Sequence, residues 1–118
     1  MTLDLSTVDA VYLACGRTDM RKSIDGLAAI VSEQFQMDPF SRTLFLFCGR
    51  RCDRIKGLLW DGDGFLLLYK RLEDGRFQWP RSGNEAKSIT RQQLRWLLEG
   101  LSIEPKTAIK TVRPTYCA

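Results

Sequence analysis

The sequence predicts an α+β fold, a small antiparallel β-meander sheet with two main helices packed against it. Asp61-Gly62-Asp63-Gly64 and Asp74-Gly75 are typical hairpin turns, and the segments beside them are rich in aliphatic and aromatic residues. Two other stretches, near residues 18–36 and 90–101, carry apolar residues at helical spacing. A chain of 118 residues makes one domain with one core. We assign residues 1–104 to that domain and 105–118 to a basic, loosely ordered C-terminal tail.

The first half of the chain predicts a strand, a helix and a second strand. An apolar run at residues 11–14 indicates the first strand, and Leu44-Phe45-Leu46-Phe47 indicates a second, buried one. Between them, Thr18 or Asp19 is expected to cap a helix that reaches about Gln36, before Asp38-Pro39 ends it. The apolar stripe of this helix consists of Met20, Ile24, Leu27, Val31 and Phe35.

The last predicted helix is the best specified element. Thr90 and Gln93 form a capping box, Ile89 precedes the cap as a hydrophobic staple, and Gly100 marks the end. Its inward stripe is expected to be Leu94, Leu97, Leu98 and Leu101.

The meander has two faces of different chemistry. A two-residue turn at Asp74-Gly75 would pair Leu72 with Phe77, and the first hairpin pairs Trp60 with Phe65 or, in another register, with Leu67. Either register gives a core face of Ile55, Gly57, Leu59, Leu66, Leu68, Leu72, Phe77 and Trp79, with Lys70 near one end. The opposite face holds Arg54, Lys56, Leu58, Trp60, Phe65, Leu67, Tyr69, Arg71, Arg76 and Gln78. We expect a helix to cover part of this second face and to leave its Arg54 end in solvent.

Charge is unevenly distributed and points to an anionic partner. Residues 1–49 have a net charge of −2 and residues 50–118 one of +6, which together give the net +4 of the chain. Arginine, the residue suited to bidentate phosphate contacts, supplies most of the cations. Three more cations, Arg17, Arg21 and Lys22, surround the predicted start of the first helix, where a phosphate would offset their repulsion.

Several function classes are excluded or disfavoured by residue content. The chain has no histidine, which excludes Ser-His-Asp and Cys-His catalysis and His-ligated metals. Cys48 and Cys52 are separated by three residues rather than the two of a zinc knuckle, so we predict no metal site and no cofactor. A metal-dependent nuclease built on Asp61 or Asp63 is a minor alternative, because the other expected carboxylates are missing. No apolar stretch is long enough for a membrane span, and we expect a cytoplasmic protein.

An ordered series of motifs resembles one bacterial family. The matching segments are Thr18-Asp19-Met20-Arg21-Lys22, Asp38-Pro39-Phe40-Ser41, Leu44-Phe45-Leu46-Phe47, Arg54-Ile55-Lys56, Trp60-Asp61-Gly62-Asp63-Gly64-Phe65, Tyr69-Lys70-Arg71-Leu72, Gly75-Arg76-Phe77-Gln78-Trp79-Pro80 and Leu97-Leu98-Glu99-Gly100. Over about residues 9–104 the chain resembles TnpB, the second open reading frame product of IS66-type insertion sequences, which is not the RNA-guided nuclease of the same name. Cys48, Gly49 and Cys52 depart from the more polar or basic residues expected there.

The resemblance implies a non-enzymatic accessory protein that assists a transposase encoded by the same element. It supplies no catalytic residues, so the site is predicted from the chain itself. We expect DNA, at the ends of the element, to bind Arg17, Arg21, Lys22, Arg50, Arg51, Arg54, Lys56, Tyr69, Lys70 and Arg71. The alternative is a protein–protein adaptor that meets the transposase through Trp60, Phe65, Leu58 and Leu67 and never contacts DNA. The sequence leaves the oligomeric state open.

Overall fold

Five strands form one mixed sheet in a computed structural model of the chain, which describes residues 5–104. In chain order the elements are β1 (Ala10–Ala14), α1 (Ile24–Ala29), β2 (Thr43–Cys48), β3 (Arg54–Trp60), β4 (Phe65–Arg71), β5 (Ala86–Ile89) and α2 (Arg91–Leu98). A π-helical segment, Ile30–Gln34, extends α1. The predicted α+β class, with two helices on a largely antiparallel sheet, is confirmed. The predicted tail lies outside the described residues.

The strands lie in the order β4-β3-β2-β1-β5. β2, β3 and β4 form an antiparallel meander. Its β3–β4 hairpin is the first hairpin of the predicted meander, with Trp60 opposite Phe65 in the first of the two expected registers. β1 runs parallel to β2, and α1 makes the connection between them, as a parallel pair requires. β2 is buried along its whole length because it is the central strand and is covered on both faces.

The sheet separates two apolar clusters. α1 packs over one face, where Leu27, Val31, Phe45, Phe47 and Leu58 are buried. On the other face, α2 and the segment before β5 bury Leu13, Leu46, Ile55, Phe77, Trp79, Leu94 and Leu97. No helix in residues 5–104 is long and apolar enough to cross a membrane.

The first helix begins later than its apolar stripe predicts. α1 starts at Ile24 after an extended Ser23, so the predicted start at Thr18 or Asp19 is wrong. The Asp19 carboxylate instead accepts hydrogen bonds from the backbone and guanidinium groups of Arg21. This local turn competes with helix formation, because it satisfies the backbone in a non-helical conformation. Arg21 and its neighbours therefore occupy a loop in front of α1.

The second predicted hairpin is absent. Phe77 and Trp79 are buried as predicted, but they do not fold back on β4. Phe77 donates its N–H to the Cys52 carbonyl at 2.7 Å, and the Trp79 indole donates to the Ala14 carbonyl at 2.9 Å. The chain crosses the sheet face because both aromatic side chains gain core contacts there and the Trp79 indole N–H gains a hydrogen-bond acceptor.

The last helix follows its sequence signals except at its end. The Thr90–Gln93 capping box is present, and Gly100 adopts a φ of +83° beyond the helix. Leu101 is 52% exposed, so its predicted place in the inward stripe is wrong. The left-handed turn at Gly100 redirects the chain and takes Leu101 off the helical face. β5 was not predicted, since Ile89 is its one buried side chain.

Candidate nucleic-acid interface

The cationic side chains gather along the side of the sheet where the ends of four strands lie, and not along an outer strand. β1 and β2 are parallel and end there, β4 also ends there, and β3 begins there. The connecting segments 15–23, 49–53 and 72–85 therefore lie along the same edge. We call this the basic edge, and its cations are Arg17, Arg21, Lys22, Arg50, Arg51, Arg54, Lys56, Arg71 and Arg81.

The loop before α1 is fastened to the turn after β2. Thr18 donates its N–H to the Cys48 carbonyl at 2.9 Å, and the Lys56 ammonium donates to the Lys22 carbonyl at 2.8 Å. A Cβ at Gly49 would lie 2.5 Å from Cγ of Met20, so any larger residue would force the Met20 side chain to shift. These contacts hold two cationic loops against each other although they are about thirty residues apart in the chain.

A cleft of about 300 Å³ opens between these two loops. Its lining residues are Thr18, Asp19, Met20, Gly49, Arg50, Arg51, Asp53 and Arg54. Three guanidinium groups and two carboxylates thus share one concave surface. Such a cleft suits an anion that can contact several guanidinium groups at once.

Three cations of the basic edge are paired with nearby carboxylates. Arg21 lies 2.9 Å from Asp19, and Arg54 lies 3.1 Å from Asp53. Arg71 and Glu73 form the third pair, at 2.9 Å. The hydrogen bonds from Arg21 lower the pKa of Asp19 to about 2, and those from Arg54 lower the pKa of Asp53. The Arg21 and Arg71 pairs are exposed, so each contributes little to stability and leaves its guanidinium accessible, whereas the Arg54–Asp53 pair is partly buried.

The remaining cations have no carboxylate partner. Among the described residues, six cations of the basic edge form no ion pair: Arg17, Lys22, Arg50, Arg51, Lys56 and Arg81. Lys56 and Arg81 donate to backbone carbonyls. The Asp19 and Asp53 carboxylates offset only part of the remaining repulsion, and an anionic ligand would relieve the rest.

Strands β3 and β4 continue the basic edge onto the α1 face. In the register of the two strands, Arg54 lies opposite Arg71 and Lys56 lies opposite Tyr69. The Lys56 ammonium lies 5.8 Å from the centre of the Tyr69 ring, whose side chain is half exposed. Lys70 is paired with Ile55 on the opposite face of the sheet. The structure therefore brings together the predicted DNA-binding residues except Lys70, which faces away from them.

Arg81 belongs to the basic edge but was not predicted. Its guanidinium donates to the Arg50 carbonyl at 2.9 Å and to the Cys52 sulfur at 2.6 Å. Residues 80–85 have no periodicity, and only tertiary packing brings this loop to Arg50. Cys52 itself has a φ of +57° in the turn.

The cysteines near this edge are buried thiols. Cys15, Cys48 and Cys52 are free, and burial raises the pKa of Cys48 to about 12. A thiol with so high a pKa is protonated at neutral pH and therefore unreactive. No three Cys, Asp or Glu side chains gather into a possible metal site in the part of the chain that the structure describes. Cys117 lies outside that part.

The opposite end of β3 and β4 carries an aromatic cluster, which consists of Phe40, Trp60 and Phe65. Ring centres are 5.0 Å apart for Phe40 and Trp60, 5.3 Å for Phe40 and Phe65, and 4.9 Å for Trp60 and Phe65. Phe40 is 56% exposed and was not predicted to belong here. Leu58 is fully buried and Leu67 half-buried beneath α1, so these two support the cluster from within the fold.

Comparison with known proteins places the chain among uncharacterised relatives. A family model described as IS66 Orf2 like protein matches residues 9–108. A Sinorhizobium fredii protein named "Uncharacterized protein y4hO" is 40% identical over 105 residues, which are 89% of this chain and 90% of the relative. A second protein of that organism, "Uncharacterized protein y4jC", is 32% identical over 108 residues and 92% of each chain. No solved structure matches the chain.

Proposed function

The chain belongs to the IS66 Orf2-like family, and we propose that it is a non-enzymatic accessory factor for DNA transposition. In this proposal the protein binds DNA through the basic edge and assists the transposase of the same element. One observation carries the proposal. Nine cations from separate segments converge on this part of the sheet, and six of them have no ion-pair partner within residues 5–104.

The basic edge is suited to the DNA backbone. Arg17, Arg50 and Arg51 are exposed on loops, where their guanidinium groups can each meet a phosphate oxygen pair. Releasing the counterions of those phosphates supplies the binding free energy. Tyr69, half exposed beside Lys56, adds a ring on which an unpaired base could stack.

DNA binding is best tested by separating local charge from net charge. The double substitution Arg50→Glu/Arg51→Glu reverses two unpaired cations of the cleft. Arg42→Glu/Arg95→Glu changes the net charge by the same amount at exposed positions away from the basic edge. With a labelled element-end duplex and fluorescence anisotropy, we expect the first variant to lose about a hundredfold in affinity and the second less than threefold. Equal losses would reject the basic edge as the DNA site.

A second candidate function is an adaptor that meets the transposase through the aromatic cluster. The observation that favours it is the exposure of Phe40 over the rings of Trp60 and Phe65, since exposed aromatic side chains are frequent in interface centres. Trp60→Ala should then abolish pull-down of the transposase while circular dichroism and DNA affinity stay unchanged. Retention of the transposase by this variant would reject the adaptor surface.

A further inference from the structure

β4 is an open edge of the sheet. Within residues 5–104 it has a strand neighbour on one side only, β3. Two of the four exposed large apolar side chains in that range, Leu66 at 44% and Tyr69 at 54%, lie on this strand. An edge strand of seven residues offers a row of backbone donors and acceptors to another strand.

The hydrogen bonds around β4 determine which backbone groups point outward. Leu72 donates its N–H to the Asp53 carbonyl at 2.6 Å, and Asp61 donates to the Gly64 carbonyl at 2.8 Å. Both bonds assign the even-numbered residues of β4 to the hydrogen-bonded pairs with β3, because such pairs alternate along an antiparallel ladder. The outward N–H and C=O groups therefore belong to Phe65, Leu67, Tyr69 and Arg71.

We propose that this edge pairs with the same strand of a second copy of the chain. The two β4 strands run antiparallel about a two-fold axis at Leu68, and the two sheets join into one of ten strands. Leu67 and Tyr69 of the second copy then form hydrogen-bonded pairs with Tyr69 and Leu67, and the same holds for Phe65 and Arg71. This register pairs all seven residues, whereas a shift by two leaves one end of each strand unpaired.

The side chains of β4 are complementary to themselves in this arrangement. Both charges, on Lys70 and Arg71, lie at one end of the strand, so an antiparallel partner places them opposite the uncharged end. Arg71 then faces the Phe65 ring, a favourable cation–π position, and the Lys70 stem faces Leu66. No like charges lie opposite each other, and each side chain meets one on the same face of the sheet. A parallel partner would instead bring the cations together.

The test is the oligomeric state of the full chain and of two variants at one position. In the proposed dimer, Leu66 of each copy would lie opposite Lys70 of the other copy, which gives two such pairs. Leu66→Lys therefore introduces two repulsive pairs, and Leu66→Glu, which also replaces the apolar side chain by a charged one, introduces two attractive pairs. By sedimentation equilibrium at low salt we expect a dimer for the parent chain and a dissociation constant about tenfold higher for Leu66→Lys than for Leu66→Glu.

Each outcome decides the proposal, which does not depend on DNA binding. A monomer at all concentrations overturns it, and so does a dimer for which the two Leu66 variants have equal dissociation constants. As an independent check, Tyr69→Pro removes an outward N–H and leaves the ladder with β3 intact. We expect this variant to be monomeric with an unchanged circular dichroism spectrum, and a folded Tyr69→Pro dimer would also overturn the proposal.

Discussion

Strands β3 and β4 are paired with each other along their whole length but differ in chemistry at their two ends. At the basic edge, Arg54 and Arg71 lie side by side, and further cations come from distant loops. At the other end, the rings of the aromatic cluster pack with their centres 4.9 to 5.3 Å apart. At the aromatic end the rings pack on one another, whereas the basic edge keeps an excess of cations that nearby carboxylates neutralise only in part. An excess of like charge lowers stability, which makes the basic edge the stronger candidate for function.

The largest expected effect concerns the core that supports both ends. Leu58 is fully buried between them beneath α1, so Leu58→Ala should lower the free energy of unfolding by about 2–5 kcal/mol. Leu66→Ala, at a 44% exposed position of the same hairpin, should cost less than about 1 kcal/mol. Urea denaturation checks both values, and equal losses would mean that Leu58 is not enclosed.

The next effect distinguishes the basic edge from the aromatic cluster by their contributions to DNA affinity. Reversing Arg54, Lys56 and Arg71 to Glu should lower DNA affinity by about a hundredfold or more and reduce the salt slope of binding by about three. Trp60→Ala should leave both quantities unchanged. Fluorescence anisotropy across a salt series measures them. Parental affinity in the triple variant would remove this strand surface from the DNA site.

A smaller effect tests whether the contact of the two loops shapes the cleft. Gly49→Ala places a Cβ against Cγ of Met20, which should destabilise the protein by about 1–3 kcal/mol and weaken DNA binding. Adding Met20→Ala removes the clash. Thermal unfolding should then show that the double variant is more stable than Gly49→Ala alone, and additive losses would contradict this explanation.

The smallest effect is a pH dependence at the loop before α1. The pKa of Asp19 is lowered from 3.8 to about 2 by its hydrogen bonds from Arg21. Because the folded pKa lies below the unfolded one, the contribution of Asp19 is present at higher pH and is lost as the pH falls through about 2. Asp19→Asn should flatten the stability profile slightly in this acidic range, since the pair is exposed. Chemical denaturation at several pH values measures the difference between the two profiles.

The sequence predicts local structure well and contacts between distant segments poorly. The capping box at Thr90 and the register of Trp60 with Phe65 follow from nearby residues, and both are confirmed. The predicted start of α1 is wrong because the side chain of Asp19 competes with the helix for backbone hydrogen bonds. The predicted hairpin at Asp74 is wrong because the Trp79 indole donates to the Ala14 carbonyl across the sheet. Turn signals describe the chain locally and carry no information on such partners.

The candidate site shows the same division. The cations of the basic edge could be named from charge, but their convergence depends on β1 lying parallel to β2. Arg81 and Phe40 were missed because each reaches its neighbours through a loop without periodicity. Lys70 was included because it is cationic, although alternation along β4 had already placed it on the opposite face.

The central claim is that the basic edge binds DNA phosphates. Its most direct test is fluorescence anisotropy of the purified protein with an element-end duplex and a scrambled duplex, across a salt series. We predict binding that weakens steeply and linearly on logarithmic axes as salt rises, because several phosphate contacts release counterions. Absence of binding to both duplexes at low salt would contradict the claim and leave the aromatic cluster as the functional surface.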